Sequence, residues 1–179
     1  MSYAHLARRI RVPVGFVAAA LYVWLARPTW SSIVYGSAII VPALLLRTAA
    51  SGHVKKNQEV TTTGPYAYTR NPLYVGSIIL VIGFGIASRN LWLAVALVMI
   101  FAALYLPVVW DEENHLRAEF PDYAGYAQRV PRFMPRIPSQ AAPGEFSGEL
   151  YRKHREYNAA LGSVGMMILL ILKSQFLSH

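Results

Sequence analysis

The stretch that decides the fold is LWLAVALVMIFAALYLPVVWDEENHL, Leu91 to Leu116, in which an uncharged apolar run is followed at once by three acidic residues. At about 1.5 Å per residue, a helix over Leu91–Trp110 is long enough to cross a bilayer core of roughly 30 Å. Acidic residues at the end of a membrane helix are costly unless they meet water, a counter-ion or a ligand. The stretch therefore predicts a membrane helix that ends in a functional site.

The composition supports a small integral membrane protein. The chain has 179 residues, of which 55% are hydrophobic and only 15% charged, a balance that is unusual for a soluble domain. It has no cysteine, which excludes disulfides, thiol nucleophiles and zinc–thiolate sites. The net charge of +8 comes from basic residues between apolar segments, so we expect no nucleic-acid partner. The five histidines are scattered, so we expect no metal site.

Four further apolar segments extend the prediction to an all-α, polytopic membrane helix bundle with about five transmembrane helices. They cover about Ile10–Ala26, Trp30–Ala50, Leu73–Ala87 and Ala159–Leu177. The basic N-terminus is interpreted as part of a retained first helix, because no small-residue cleavage site follows it. We expect one domain over residues 1–179, with core motifs in 55–135 and an added amphipathic and transmembrane segment in 144–179.

The distribution of Lys and Arg predicts the orientation of these helices. Five spans place fourteen basic residues, Lys56 among them, on one side, and only Arg27, Arg89 and Lys173 on the other. Basic loops stay in the cytoplasm. We therefore expect a cytoplasmic N-terminus, a C-terminus outside, and both conspicuous polar stretches on the cytoplasmic side. The Pro-, Ser-, Gly- and Ala-rich stretch from Ile137 to Gly148 is typical of a linker.

The first polar stretch is GPYAYTRNPLYVG, Gly64 to Gly76. Pro72 is suited to begin a helix, because it lacks a backbone N–H and its φ is fixed. Arg70 stands just before that helix, where it either helps to bind a carboxylate or phosphate or extends to lipid headgroups. Gly83 and Gly85 later in the helix permit close approach, either of another helix or of a flat ligand ring.

The second polar stretch is DEENHLRAEFPDYAGYAQRVPRFMP, Asp111 to Pro135. One of Glu112 and Glu113 can accept hydrogen bonds from an ammonium group or a ribose, and the other can hold an arginine such as Arg129 or Arg132. A solvated helix end is the alternative, although anions at a helix C-terminus oppose its dipole. The segment of aromatic residues and prolines that follows predicts either a lid or an interfacial anchor.

In their order and spacing, these motifs resemble the integral-membrane isoprenylcysteine carboxyl methyltransferase and phospholipid methyltransferase family. The family pattern is G-P-Y, R-H-P-x-Y, G-x-G, E-E-x-x-L, Y-x-x-Y and P-R-F-x-P. The matching residues are Gly64–Tyr66, Arg70–Tyr74, Gly83–Gly85, Glu112–Leu116, Tyr123–Tyr126 and Pro131–Pro135. Asn71 replaces the usual histidine. An asparagine can donate a hydrogen bond but cannot titrate, so the departure argues against proton transfer at position 71.

The resemblance implies S-adenosylmethionine as methyl donor, with S-adenosylhomocysteine as product, in a cytoplasmic cofactor pocket between the third and fourth helices and the segment after them. We expect the protein to lie in the inner membrane of a bacterium or archaeon. The implied catalytic residues are Glu113 and Arg129. The implied cofactor-binding residues are Tyr66, Arg70, Asn71, Pro72, Tyr74, Gly83, Gly85, Glu112, Glu113, Leu116, Tyr126 and Arg132.

The acceptor and the reaction stay open at this level. A lipid-like or prenylated acceptor fits a site that opens into the membrane, and either a carboxylate or an amine could receive the methyl group. Two other functions compete with the methyltransferase. One is a membrane reductase of sterols or other enones that uses NADPH, although such reductases usually have more helices. The other is a non-enzymatic assembly subunit, and the oligomeric state is not indicated.

Overall fold

The computed structural model describes residues 3–55, 58–138 and 144–177, and all regular structure within them is helical. Lys56 and residues 139–143 of the predicted linker lie outside the described residues. A single 3-10 turn covers Gly64–Ala67. The α-helices, numbered along the chain, are α1 Tyr3–Leu25, α2 Trp30–Ser51, α3 Pro72–Ser88, α4 Leu91–Glu119, α5 Tyr123–Arg129, α6 Gly148–Lys153 and α7 Tyr157–Leu177.

The five predicted apolar helices are all present as α1, α2, α3, α4 and α7. By length and hydropathy, Trp30–Ser51, Leu91–Glu119 and Tyr157–Phe176 can each cross a membrane, whereas the apolar parts Val12–Leu25 and Pro72–Ser88 are shorter. Large apolar side chains such as Phe16, Trp92 and Phe176 are at least three-quarters exposed, as expected for a surface that faces lipid. The fold prediction of a membrane helix bundle is confirmed.

Two boundaries differ from the prediction. Helix α4 does not end at the acidic residues but continues to Glu119, with Phe120 as its C-cap, because neither proline nor glycine stands between Asp111 and Pro121. Glu112 and Glu113 therefore lie inside the helix. The run beginning near Glu145 is not continuous with the last helix either: Arg155, with φ of 53°, separates α6 from α7.

One end of the bundle is closed by loop and cap contacts. Asn90 caps α4 by accepting a hydrogen bond from the Leu93 N–H at 3.2 Å, and the Arg27 N–H donates to the Ser88 carbonyl at 2.9 Å. Near the end of α7, the Lys173 ammonium donates to the Val23 carbonyl at 2.6 Å. Helices α1 and α7 therefore finish at the same end of the bundle, as five alternating spans require.

Glycines bring α2 and α3 into close contact. A Cβ placed on Gly36 would lie 2.7 Å from the Ala87 Cβ, and a Cβ on Gly83 would lie 2.7 Å from the Ile40 Cγ1. Gly85 approaches α4 instead, where its Cβ would lie 2.9 Å from that of Ala94. Since small residues let helix backbones approach in a membrane, these glycines allow α3 to pack closely against α2 and α4. This packing fixes the relative positions of the three helices at the opposite end of the bundle.

Candidate cofactor site

A cavity of about 400 Å³ lies at the end of the bundle opposite the Lys173 contact. That volume is within the range of small-molecule sites, roughly 300–1,000 Å³. The cavity is bordered by the ends of α2 and α4, the start of α3, helix α5 and the turn before α7. Eight of the predicted cofactor-binding residues line it, namely Tyr66, Arg70, Asn71, Tyr74, Glu112, Glu113, Leu116 and Tyr126.

The two polar stretches meet through backbone and side-chain hydrogen bonds. The Arg70 N–H donates to the Pro131 carbonyl at 2.9 Å, and the Arg136 N–H donates to the Tyr68 carbonyl at 2.9 Å. The Thr69 hydroxyl donates to the Arg132 carbonyl at 3.0 Å. Residues 131–136 therefore run alongside the entrance to α3 and bring the second stretch against the first.

Glu113 is the centre of the polar network. Its side chain is buried, and it accepts hydrogen bonds from Arg132 Nε at 3.1 Å and Arg132 Nη2 at 2.9 Å. Asn71 Nδ2 donates to the Glu113 Oε1 at 2.9 Å and to the Arg132 carbonyl at 3.3 Å. The hydrogen bond to Glu113 raises the pKa of Arg132. Asn71 thus supplies a donor at the position of the family histidine.

Arg70 is the least satisfied group in this network. Its side chain is only 9% exposed, and its Nη1 lies 3.5 Å from the Glu113 Oε2. Among the described residues, neither Nε nor Nη1 of Arg70 has a hydrogen-bond partner. Buried donors in this state are rare in native structures and costly. The cavity is therefore suited to a ligand that brings an anionic oxygen to Arg70.

Tyrosines form the wall on the side of α5. Tyr123 and Tyr126 are buried, and the Tyr126 hydroxyl donates to the Tyr66 carbonyl at 2.8 Å. Burial raises the pKa of both Tyr66 and Tyr126 above the usual value. Both hydroxyls therefore remain protonated at neutral pH, and the bond from Tyr126 fixes the 3-10 turn against α5.

Five residues that the resemblance implied do not line the cavity: Pro72, Gly83, Gly85, Arg129 and Arg132. Pro72 begins α3 and is buried, and the two glycines serve the helix contacts described above. Arg132 acts on the cavity through Glu113. Arg129 is exposed at the end of α5, so the structure does not bring the second implied catalytic residue to the site.

Sequence reasoning missed several lining residues that lie outside the recognised motifs. They include Arg47 near the end of α2, Tyr105 in α4 and Glu156 before α7. Arg47 Nε donates to the Glu156 Oε1 at 2.6 Å. These two residues are 109 positions apart, so no local pattern could pair them. The only signal was a charged residue placed near the end of an apolar helix.

Comparison with known proteins identifies related sequences. A family model described as phospholipid methyltransferase matches residues 14–122. The nickel-cobalt-cadmium resistance protein NccN of Alcaligenes xylosoxydans xylosoxydans is 34% identical over 61% of this chain and 46% of its own length. The cobalt-zinc-cadmium resistance protein CzcN of Cupriavidus metallidurans is 37% identical over 46% of this chain and 38% of its own. The chain thus spans less than half of either relative. No solved structure matches.

Proposed function

The chain belongs to the phospholipid methyltransferase family, and on that premise we propose that it transfers a methyl group from S-adenosylmethionine to a lipid-like acceptor at the cytoplasmic face of a membrane. The observation that carries the proposal is the Arg70 side chain, which lines the 400 Å³ cavity and in which two buried nitrogens lack hydrogen-bond partners among the described residues.

The residues present fit the donor by their chemistry. Arg70 would hold a carboxylate, because guanidinium groups pair with carboxylates through short, charge-assisted hydrogen bonds. Within the described part of the chain, Glu112 forms no ion pair with a basic residue, yet it lines the same cavity. Its carboxylate is available to the hydroxyls of a ribose or to a cation. A ligand with a carboxylate, a sugar and a sulfonium matches that combination.

When bound, S-adenosylmethionine supplies an electrophilic methyl group on a positively charged sulfur. The protein's part is to position the two reactants and to limit water, which is worth more here than acid or base catalysis because charge disperses as the methyl moves. Asn71 and Arg132 fix Glu113, Glu113 draws Arg70 to the cavity wall, and the buried tyrosines close the α5 side. None of these side chains must change protonation.

The acceptor reaches the cavity from the side of the lipid. Apolar helices surround the site, and Tyr105 carries its lining two turns of α4 deeper than Glu112. A carboxylate acceptor is already ionised at neutral pH. An amine acceptor must first lose a proton, which Glu112 can accept. Both lipid-like and prenylated acceptors are compatible with such a lateral entrance.

The names of the two relatives concern metal resistance. In the described ranges, no group of three or more His, Asp or Glu side chains is placed to hold a metal ion. The side chains that converge in the cavity are instead arginine, glutamate, asparagine and tyrosine. We therefore base the proposal on the family and the cavity.

Calorimetry of the full chain in a nonionic detergent tests the proposal. S-adenosylhomocysteine should bind the wild-type protein with a 1:1 stoichiometry and raise its unfolding temperature, whereas a nicotinamide dinucleotide should do neither. Incubation of membranes with methyl-labelled donor, followed by mass spectrometry, should then reveal the acceptor. Binding of the dinucleotide alone would favour the reductase, and binding of neither compound would favour the assembly subunit.

A further inference from the structure

The C-terminal part of the chain contributes to the cavity although it lies outside the family match, which ends at residue 122. The contribution is made by Glu156, in the turn between α6 and α7, which lines the cavity together with Arg47. The His154 ring, at 3.1 Å from the Ser51 carbonyl, holds the same turn against the end of α2. The cavity is therefore completed by a segment that the family motifs do not include.

Arg47 occupies a site built to hold it. Besides the 2.6 Å contact with Glu156, its Nη1 donates to the Leu73 carbonyl at 3.2 Å and to the Ser77 hydroxyl. Its aliphatic stem passes over Gly76, where a Cβ would lie 2.5 Å from the Arg47 Cγ. Two of these partners are on α3 and are uncharged. They keep the guanidinium in place independently of Glu156.

This pair is bonded separately from the Arg70 network. Arg47 contacts Leu73 and Ser77 of α3 and Glu156, whereas Arg70 and Arg132 both pair with Glu113 of α4. Under the proposed function, Arg70 marks the donor end of the cavity and Arg47 the acceptor end. At the acceptor end the side chains of Arg47 and Glu156 are only 18% and 11% exposed, so little solvent screens their charges.

We infer that Glu156 is a positioning residue that sets the charge selectivity of the acceptor end. Its carboxylate cancels the charge of Arg47, so the intact pair attracts neither an anionic nor a cationic headgroup through that arginine. Removal of one partner leaves the other as an uncompensated charge in a poorly solvated wall. The inference rests on the proposed function, because the acceptor end is defined by the donor end beside it.

The test uses two amphiphiles that differ only in headgroup charge, decanoate and decylammonium, titrated calorimetrically into the full-length protein in one nonionic detergent. Glu156→Gln should bind decanoate at least about tenfold more tightly than the wild type, the size expected of one charge-assisted hydrogen bond. Arg47→Gln should show the opposite preference and gain affinity for decylammonium. The double variant should resemble the wild type with both compounds.

Glu149→Gln is the matched control, because it removes the same charge from an exposed position of α6. Glu156→Asp keeps the charge and should behave as the wild type. If Glu156→Gln does not fold, the inference is tested by decylammonium affinity alone. That affinity should rise in Arg47→Gln and return to the wild-type value in the double variant. The inference would be overturned if all variants bound both amphiphiles equally well, or if both single variants bound both amphiphiles more weakly than the wild type.

S-adenosylhomocysteine affinity, measured on the same samples, separates this inference from the function it rests on. It should change by less than about twofold in each variant, because Arg70 and its partners Glu113 and Arg132 are untouched. A wild-type protein that binds no S-adenosylhomocysteine contradicts the methyltransferase proposal. A protein that binds it normally but shows no charge-dependent amphiphile preference contradicts only the role of Glu156.

Discussion

Two arginines line the cavity, Arg47 and Arg70, and they differ in how their nitrogens are hydrogen-bonded. At the proposed acceptor end, Arg47 contacts a carboxylate, a carbonyl and a hydroxyl. At the proposed donor end, Arg70 has an ion pair with Glu113 at 3.5 Å and, within the described residues, two nitrogens without a hydrogen bond. An arginine whose nitrogens are all hydrogen-bonded within the protein has a structural role. One with buried, unbonded nitrogens is suited to bind a ligand.

The largest expected effect comes from the carboxylate that holds the donor end together. Glu113→Ala should lower the free energy of unfolding by about 3 kcal/mol or more, because removal of one member of a buried ion pair leaves the other uncompensated. It should also weaken S-adenosylhomocysteine binding by more than about tenfold. Denaturation in detergent and calorimetry measure the two effects. Glu149→Ala, which removes an exposed carboxylate, should change neither, and wild-type stability in Glu113→Ala would contradict the central role of Glu113.

Arg70→Gln tests the unsatisfied arginine directly. Loss of a charge-assisted hydrogen bond of about 1.5–3 kcal/mol should reduce the affinity for S-adenosylhomocysteine by at least about tenfold. Stability should fall less than in Glu113→Ala, because Arg132 still pairs with Glu113. Arg129→Gln provides the control, since this arginine is exposed at the end of α5. Equal losses of affinity in the two variants would mean that a general loss of positive charge, and not Arg70, is responsible.

Gly76→Ala instead disturbs Arg47, the arginine whose nitrogens are hydrogen-bonded within the protein. The added Cβ would collide with the Arg47 stem, and overpacking of this kind costs about 1–3 kcal/mol, from which the better helix propensity of alanine subtracts up to about 1 kcal/mol. We expect a net loss of about 1 kcal/mol in the free energy of unfolding and normal S-adenosylhomocysteine binding. Gly162→Ala in α7, where the Cβ meets nothing, should be neutral or stabilising. A stabilised Gly76→Ala variant would show that Arg47 is not held closely.

The smallest effect is expected at the tyrosine wall beside the donor end. Tyr126→Phe removes the hydrogen bond to the Tyr66 carbonyl and should cost about 1 kcal/mol at neutral pH. Because burial raises the pKa of Tyr126 above its usual value of 10, its contribution is complete below pH 10 and is lost as the pH rises further. Unfolding measured at pH 7 and at pH 11 should therefore show a smaller alkaline loss in the variant. An identical loss in both proteins would place the sensitive tyrosine elsewhere.

Much of the fold, and many of the residues that line the cavity, could be predicted because the signals are local. Apolar length identified the membrane helices, and the motifs around Arg70 and Glu113 identified residues that the structure places around one cavity. The cofactor roles of Gly83 and Gly85 could not be distinguished from helix packing, because glycine spacing does not reveal which surface a helix turns to its neighbour. Arg47 and Glu156 form a pair only after the last helix has returned to the second, which no local pattern encodes.

The length of α4 has a consequence for how the protein enters a membrane. Its 29 residues extend for about 43 Å, against a hydrocarbon thickness of roughly 30 Å. The length in excess of the hydrocarbon core corresponds to the final turns, which carry Asp111, Glu112 and Glu113. This helix can therefore be inserted without moving its carboxylates across the hydrocarbon core. The acidic residues of α4 thus lie beyond the hydrocarbon core, and insertion of the helix avoids the free-energy cost of placing a charge at the centre of the bilayer.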